Sequence, residues 1–202
     1  MKEHYYDKLL NIKTREEQQG FHKSLHYHRY EPTPYSGLEE LFREFEVKSS
    51  DRVVDFGCGK GRLNFYIHHF FHASVVGIEM SEELYERALA NQSSYLKKTK
   101  ERPDKLHFLC CLAEEYPIDP EDNCFYFFNP FSIQVFRKVI NNILLSAEQY
   151  TRDVALILYY PSEDYIYYLE NYTAFEWEKE IPVPYVYSHN QNERFLIYRL
   201  KS

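Results

Sequence analysis

Val53-Val54-Asp55-Phe56-Gly57-Cys58-Gly59-Lys60-Gly61-Arg62 decides the fold of this chain. Four residues with a strand's composition carry an acid, Asp55, next to their end, three glycines follow at alternate positions, and an apolar helical run begins at about Arg62 and continues to Phe71. Glycines at such a junction let the backbone turn tightly and come close to a ligand that a Cβ would hold off. The spacing separates ligand classes. A dinucleotide fingerprint reads G-x-G-x-x-G/A and seats a pyrophosphate at the helix N-terminus, whereas this chain reads G-x-G-x-G behind Asp55. A carboxylate there repels phosphate and accepts hydrogen bonds from a cationic amine.

Outward from this stretch the pattern alternates. Toward the C-terminus come a strand at Val75-Val76-Gly77-Ile78-Glu79, a helix from Ser81 to about Lys98, and strands over Leu106 to Cys110 and Phe125 to Phe128. A helix begun by Ser132 and a strand from Val154 to Tyr159 follow. Five short apolar strands in this rhythm predict an α/β fold, doubly wound, with a mostly parallel sheet covered on both faces. After a helix near Glu163 to Asn171, the segments Phe175 to Val183 and Glu193 to Leu200 are too close for a crossover helix and predict an antiparallel hairpin. Toward the N-terminus, Ser36 and Glu39 form a capping-box pattern before a helix that ends near Val47. A first helix is expected over about residues 3–19. Residues 26–35 carry two prolines that forbid a continuous helix.

At 202 residues the chain fits a single domain, with residues 1–35 as an N-terminal helix and lid-like segment and 36–202 as the core. No apolar run approaches the roughly 20 residues of a membrane span, and the first residues lack a secretory layout, so the cytoplasm is the expected location. Four cysteines without C-x-x-C spacing suggest neither disulfides nor zinc. The balance of 24 Lys plus Arg against 31 Asp plus Glu, a formal charge of −7, works against tight sequence-independent binding to nucleic acid. His68 and His72 share a helix face at metal-ligand spacing, but no third ligand accompanies them and no metal is expected.

Asp55-Phe56-Gly57-Cys58-Gly59-Lys60-Gly61 resembles the D-x-G-x-G-x-G motif of class I S-adenosylmethionine-dependent methyltransferases. The resemblance covers about residues 36–202 and implies a Rossmann-like sheet of seven strands, S-adenosylmethionine as cofactor and S-adenosylhomocysteine as product. It implies that Asp55, Gly57, Cys58, Gly59 and Gly61 cradle the cofactor and that Glu79, ending the second strand, accepts both ribose hydroxyls. Met80 then lies against the adenine, and Ala113 and Glu114 meet its edge, although Leu112 stands where the family often has Asp. A degenerate nicotinamide or flavin site, or a plain tight turn, is the competing reading of the glycines.

Asn129-Pro130-Phe131 resembles the Asn/Asp-Pro-Pro-Tyr/Phe motif of methyltransferases that act on amino nitrogens, short of one proline. The resemblance implies that Asn129 and Pro130 orient an acceptor amine and that Phe131 stacks on it. Alternatively, Asn129 turns the chain or contacts the cofactor. Tyr30, Thr33 and Tyr35 sit where such enzymes cover the cofactor; the tyrosines would bound the sulfonium pocket and Thr33 would contact the methionine carboxylate, with surface packing as the alternative. Tyr160 is a candidate pocket wall and Ser162 a helix cap. Three functions remain open: methyl transfer to a small molecule or protein side chain, methyl transfer to a nucleic-acid amine, and a cofactor-binding subunit without catalysis. The sequence leaves the acceptor and the oligomeric state open.

Overall fold

The computed structural model describes residues 2–15, 30–100, 103–184 and 186–201. Seven strands form one sheet: β1 (Arg52–Phe56), β2 (Ser74–Glu79), β3 (Leu106–Cys110), β4 (Cys124–Phe128), β5 (Val154–Tyr159), β6 (Glu176–Pro182) and β7 (Arg194–Leu200). Their order is β3-β2-β1-β4-β5-β7-β6. The first five are parallel, and β7 runs antiparallel to both β5 and β6. The hairpin is thus present, with its second strand inserted beside β5. The chain leaves β1 toward β2 on one side, while β4 joins on the other. That reversal opens a crevice at the carboxyl ends of β1 and β4, where ligands of open α/β sheets bind.

Among the described residues six helices accompany the sheet: α1 (Lys2–Leu10), α2 (Tyr35–Glu44), α3 (Arg62–Phe71), α4 (Glu82–Thr99), α5 (Ile133–Gln149) and α6 (Glu163–Tyr172). Alternation along the strands divides the core. Val53, Tyr126, Ile157 and Phe195 pack with Leu38, Leu41 and Phe65 from α2 and α3, while Val54, Phe125, Phe127 and Leu156 pack with Phe136, Ile140 and Leu169 from α5 and α6. Fully burying each such side chain is worth about 1.5–3 kcal/mol. Between β3 and β4 there is a short 3-10 turn (113–115) in place of a crossover helix, and alternate residues of β3 remain exposed as a result.

Several boundaries differ from the sequence reading. α1 stops at Leu10, where Asn11 turns left-handed (φ 56°); residues 16–19 of the expected helix, and 26–29 of the proline segment, lie outside the described residues. α2 begins at Tyr35 behind Pro34, whose carbonyl accepts from Gly37 and Leu38 N–H. Ser36 therefore lies inside the helix and caps nothing, and Glu39 accepts instead from Lys2 and the Tyr6 hydroxyl. The helix ends at Glu44, short of Val47, because Phe45 turns extended and both Phe45 and Val47 are drawn into the core. Ser81 and Ser162 do cap α4 and α6, accepting from Leu84 and Tyr165 N–H at 3.4 and 3.3 Å.

Among the described residues no helix is long and apolar enough to cross a membrane, and no cluster of three or more His, Cys, Asp or Glu is arranged to hold a metal ion. His68 bonds the Tyr95 hydroxyl at 2.8 Å, and His72 is the left-handed C-cap of α3.

Candidate cofactor and acceptor site

The glycine loop is anchored to β2. Gly57 and Cys58 both donate to the Ile78 carbonyl, at 2.9 and 3.0 Å, and Gly61 donates back to the Cys58 carbonyl at 2.9 Å. Gly57 (φ 79°) and Gly59 (φ 55°) occupy the left-handed region, and each faces something that leaves no space for a side chain. A Cβ on Gly57 would lie 2.7 Å from Pro130 Cβ, and one on Gly59 would overlap the ring of Tyr30. These two glycines therefore bring the carboxyl ends of β1 and β4 and the N-terminal segment onto one loop.

Two carboxyl groups lie beneath it. Glu79, 7% exposed, accepts from Gly59 N–H at 2.9 Å through Oε2 and from Ser81 N–H at 2.8 Å through Oε1. Burial raises its pKa, and these N–H groups oppose the rise. Asp55, 4% exposed at the end of β1, is pushed up to about 8, first by burial and then by the Glu79 carboxylate. The amide of Asn64, oriented by its partners, donates to Asp55 Oδ2 at 2.9 Å and accepts from Gly77 N–H at 3.3 Å. Asn64 interrupts the apolar pattern of α3, and that interruption was the available sequence signal for its role.

On the adenine side of the expected cofactor, Met80 follows Glu79 and is 40% exposed, and Ala113 is buried in the turn after β3. The Glu114 carboxylate lies 3.6 Å from Lys138 Nζ of α5, and its carbonyl accepts from Asn142 at 3.0 Å.

On the acceptor side, Asn129 ends β4 with φ 38° and Tyr160 ends β5 with φ 51°. Left-handed backbone at two non-glycine residues on adjacent strand ends marks a shaped site. Phe131 is separated from them. Its ring is buried edge-on to Phe127 at 6.1 Å, and its carbonyl accepts from the Tyr165 hydroxyl, so it belongs to the α5 and α6 core and does not stack on an acceptor. With one proline absent, the aromatic arrives a position early and enters the core.

The N-terminal segment also departs from expectation. Tyr30 remains at the glycine loop, its ring 5.0 Å from Lys60 Nζ and its hydroxyl donating to the Thr14 carbonyl at 2.9 Å. Thr33 is 5% exposed and shares a 2.7 Å hydrogen bond with the Tyr126 hydroxyl on β4, which commits the group expected to meet a methionine carboxylate. Tyr35 faces away: its hydroxyl donates to Asp7 at 2.8 Å and its ring stacks on Tyr6 at 4.7 Å. The organiser of this segment is Arg62, a residue whose role the sequence did not disclose. Its buried guanidinium bonds Thr14 Oγ1 at 2.8 Å, the Thr33 carbonyl at 3.0 Å and Glu3, and lies 4.4 Å from the Tyr35 ring centre.

A protein-family profile described as a methyltransferase domain matches residues 35–112, which span the glycine loop, Glu79 and β3. A protein-lysine N-methyltransferase of Saccharolobus islandicus is 35% identical over 63 residues, 31% of this chain and 39% of that protein, so the match spans about two fifths of that relative. Among solved structures, an RNA methyltransferase from Salinibacter ruber in complex with S-adenosylhomocysteine superposes with a TM-score of 0.59 at 18% identity, over 83% of this chain and 91% of that one. Fibrillarin from Aeropyrum pernix with bound S-adenosylmethionine superposes with a TM-score of 0.58 at 14% identity, over 81% and 73%. The chain thus has the seven-stranded, Rossmann-like fold of these solved methyltransferases, and its residues 35–112 are similar to a methyltransferase domain.

Proposed function

We propose that this protein is an S-adenosylmethionine-dependent methyltransferase whose acceptor is an amino nitrogen of a protein side chain or small molecule. The observation that carries the reading is the convergence of Asp55, the left-handed glycines and Glu79 on the loop at the carboxyl ends of β1 and β2. The donor set fits this cofactor. Asp55 would take its cationic amino group, Glu79 its ribose hydroxyls, and Met80 with Ala113 and Glu114 its adenine. The glycine faces that exclude a Cβ let Pro130 and Tyr30 close against the loop.

When bound, S-adenosylmethionine supplies a methyl group activated by a positively charged sulfur. The chain's residues align the nucleophile and exclude water, and no strong general base is needed. Pro130 packs against Gly57, which sets Asn129 beside the loop that would hold the donor. The side-chain carbonyl of Asn129 would accept a proton of an acceptor amine and aim its lone pair. Amino-nitrogen chemistry is supported by this Asn-Pro pair and by the protein-lysine N-methyltransferase relative. The formal charge of −7 opposes a nucleic-acid acceptor.

The test is calorimetric titration with S-adenosylmethionine, S-adenosylhomocysteine and NAD, on the wild type and on Asp55→Ala and Glu79→Gln variants that retain the native circular dichroism. Micromolar binding of both sulfur ligands, absent for NAD and lost in the variants, supports the reading. Absence of binding to either sulfur ligand overturns it.

A further inference from the structure

The carboxyl ends of β4 and β5 lie in register, with Phe128 paired to Tyr159, and each strand is followed at once by a left-handed residue, Asn129 and Tyr160. Tyr160 is pinned on two sides. Its N–H donates to the Arg194 carbonyl at 3.1 Å, and its hydroxyl accepts from Asn190 at 2.8 Å. The Phe128 ring lies 4.6 Å from that of Tyr159 and 6.4 Å from that of Tyr160. Phe128, Asn129 and Tyr160 are each only half-buried, and β5 lies one strand spacing of about 4.8 Å from β4.

Two carboxylates stand near these rings. Glu193 accepts from the Tyr159 hydroxyl, and Glu31 is exposed on the segment that Thr33 ties to Tyr126 of β4. Burial first, then Glu193, Tyr160 and Glu31, push the Tyr159 phenol far above its ordinary value. The neighbouring base, Arg194, is directed to Glu180 at 3.4 Å. Aromatic faces and carboxylates together attract a cation, whereas a neutral amine on a nucleobase gains nothing from the carboxylates and its phosphates would be repelled.

Resting on the methyltransferase reading, we infer that the mouth formed by Phe128, Tyr160, Glu193 and Glu31 selects a cationic amine, the side chain of a protein lysine. The ammonium first releases a proton to water. The nitrogen lone pair then forms the N–C bond while the C–S bond breaks and its electron pair stays on sulfur. The positive charge passes from sulfur to nitrogen, and the product is a secondary ammonium and a neutral thioether. Glu193 and Glu31 therefore favour the acceptor as it arrives and the charge that develops on it.

The probes are Nα-acetyl-lysine amide, its norleucine counterpart and adenosine, titrated into the full chain by ligand-observed NMR, with S-adenosylhomocysteine titrated separately. The lysine amide is expected to bind at least tenfold more tightly than the norleucine amide and than adenosine. Glu193→Gln, Glu31→Gln and Tyr160→Leu are each expected to weaken it at least fivefold while S-adenosylhomocysteine affinity stays within twofold. Equal binding of the lysine and norleucine amides, tighter binding of adenosine, or variants that leave the lysine amide unaffected overturns the inference. Failure of the wild type to bind S-adenosylhomocysteine overturns the cofactor reading instead, and the lysine-to-norleucine ratio still decides the mouth.

Discussion

Gly59 donates its main-chain N–H to Glu79 Oε2 at 2.9 Å, joining the middle glycine of the loop to the acid that ends the next strand. They lie 20 positions apart, with α3 and most of β2 between them, so the bond holds only if both strand ends are correctly placed. The loop and its acid are thus organised before any ligand arrives, which lowers the ordering cost of binding.

Gly59→Ala tests that organisation. A side chain at φ 55° costs roughly 1–2 kcal/mol, and its Cβ would also displace the ring of Tyr30. The expected outcome is a folded protein whose melting temperature falls by about 3–8 °C and whose affinity for S-adenosylhomocysteine falls at least tenfold. Calorimetry beside a thermal melt reads both, and wild-type affinity would remove the close-approach argument.

Asn64 orients Asp55, with its other amide atom held by Gly77 N–H. Asn64→Leu removes a donor from a buried carboxyl and should cost about 1–3 kcal/mol of stability when Asp55 is ionised. Asn64→Asp adds a third carboxyl beside Asp55 and Glu79 and should weaken cofactor binding more than the leucine variant does at neutral pH. Denaturant unfolding and S-adenosylhomocysteine titration of both variants check this order.

The strands and the glycine loop were legible because local patterns suffice for them. The apolar stretches, the alternate glycines after Asp55 and the serines before α4 and α6 each declare themselves within a few residues. Ser36 misled because Pro34, already fixed near a helical φ, starts α2 two residues earlier. Tyr35 and Thr33 misled for another reason. Their partners, Asp7 and Tyr126, lie 28 and 93 residues away, and no spacing rule reaches that far. Arg62 looked like the first residue of a helix, and only the fold shows Glu3, Thr14 and Thr33 meeting on its guanidinium.

Arg62→Met should therefore loosen the N-terminal segment and leave the sheet intact. It strips a charge-assisted partner from Glu3 and leaves Thr14 and Thr33 acceptors buried, a cost of about 2–3 kcal/mol, below that of a fully buried pair because Glu3 is partly exposed. Hydrogen exchange should speed up in residues 2–15 and 30–35 while β1 and β4 keep their protection. Arg62→Lys should recover only a small part, since one ammonium cannot span acceptors that a planar guanidinium reaches together. Uniform loss of protection across the sheet would show Arg62 to be a core residue rather than an anchor for this segment.

The proton on Asp55 gives the candidate cofactor site a pH dependence of definite sign. Its value of about 8 in the folded protein stands above the unfolded value of about 3.9, so between those limits the folded chain holds a proton that the unfolded chain has released. Stability from this group is complete below about pH 4 and is lost as pH rises through about 8. Ligand binding runs the other way. A cationic amine needs the ionised carboxylate, so binding should release nearly one proton at pH 6–7, and affinity should rise close to tenfold over that unit. The ligand's own α-amino group, at about 7.7–8.0, stays largely protonated in this range and does not mask the effect. Titrating S-adenosylhomocysteine in two buffers of different ionisation enthalpy counts the protons directly. Asp55→Asn should abolish the release in whatever binding remains, whereas Asn64→Leu should retain it because the proton belongs to Asp55. A count of zero in the wild type would mean that Asp55 is already ionised before the ligand arrives, and that Asn64 offsets its burial fully.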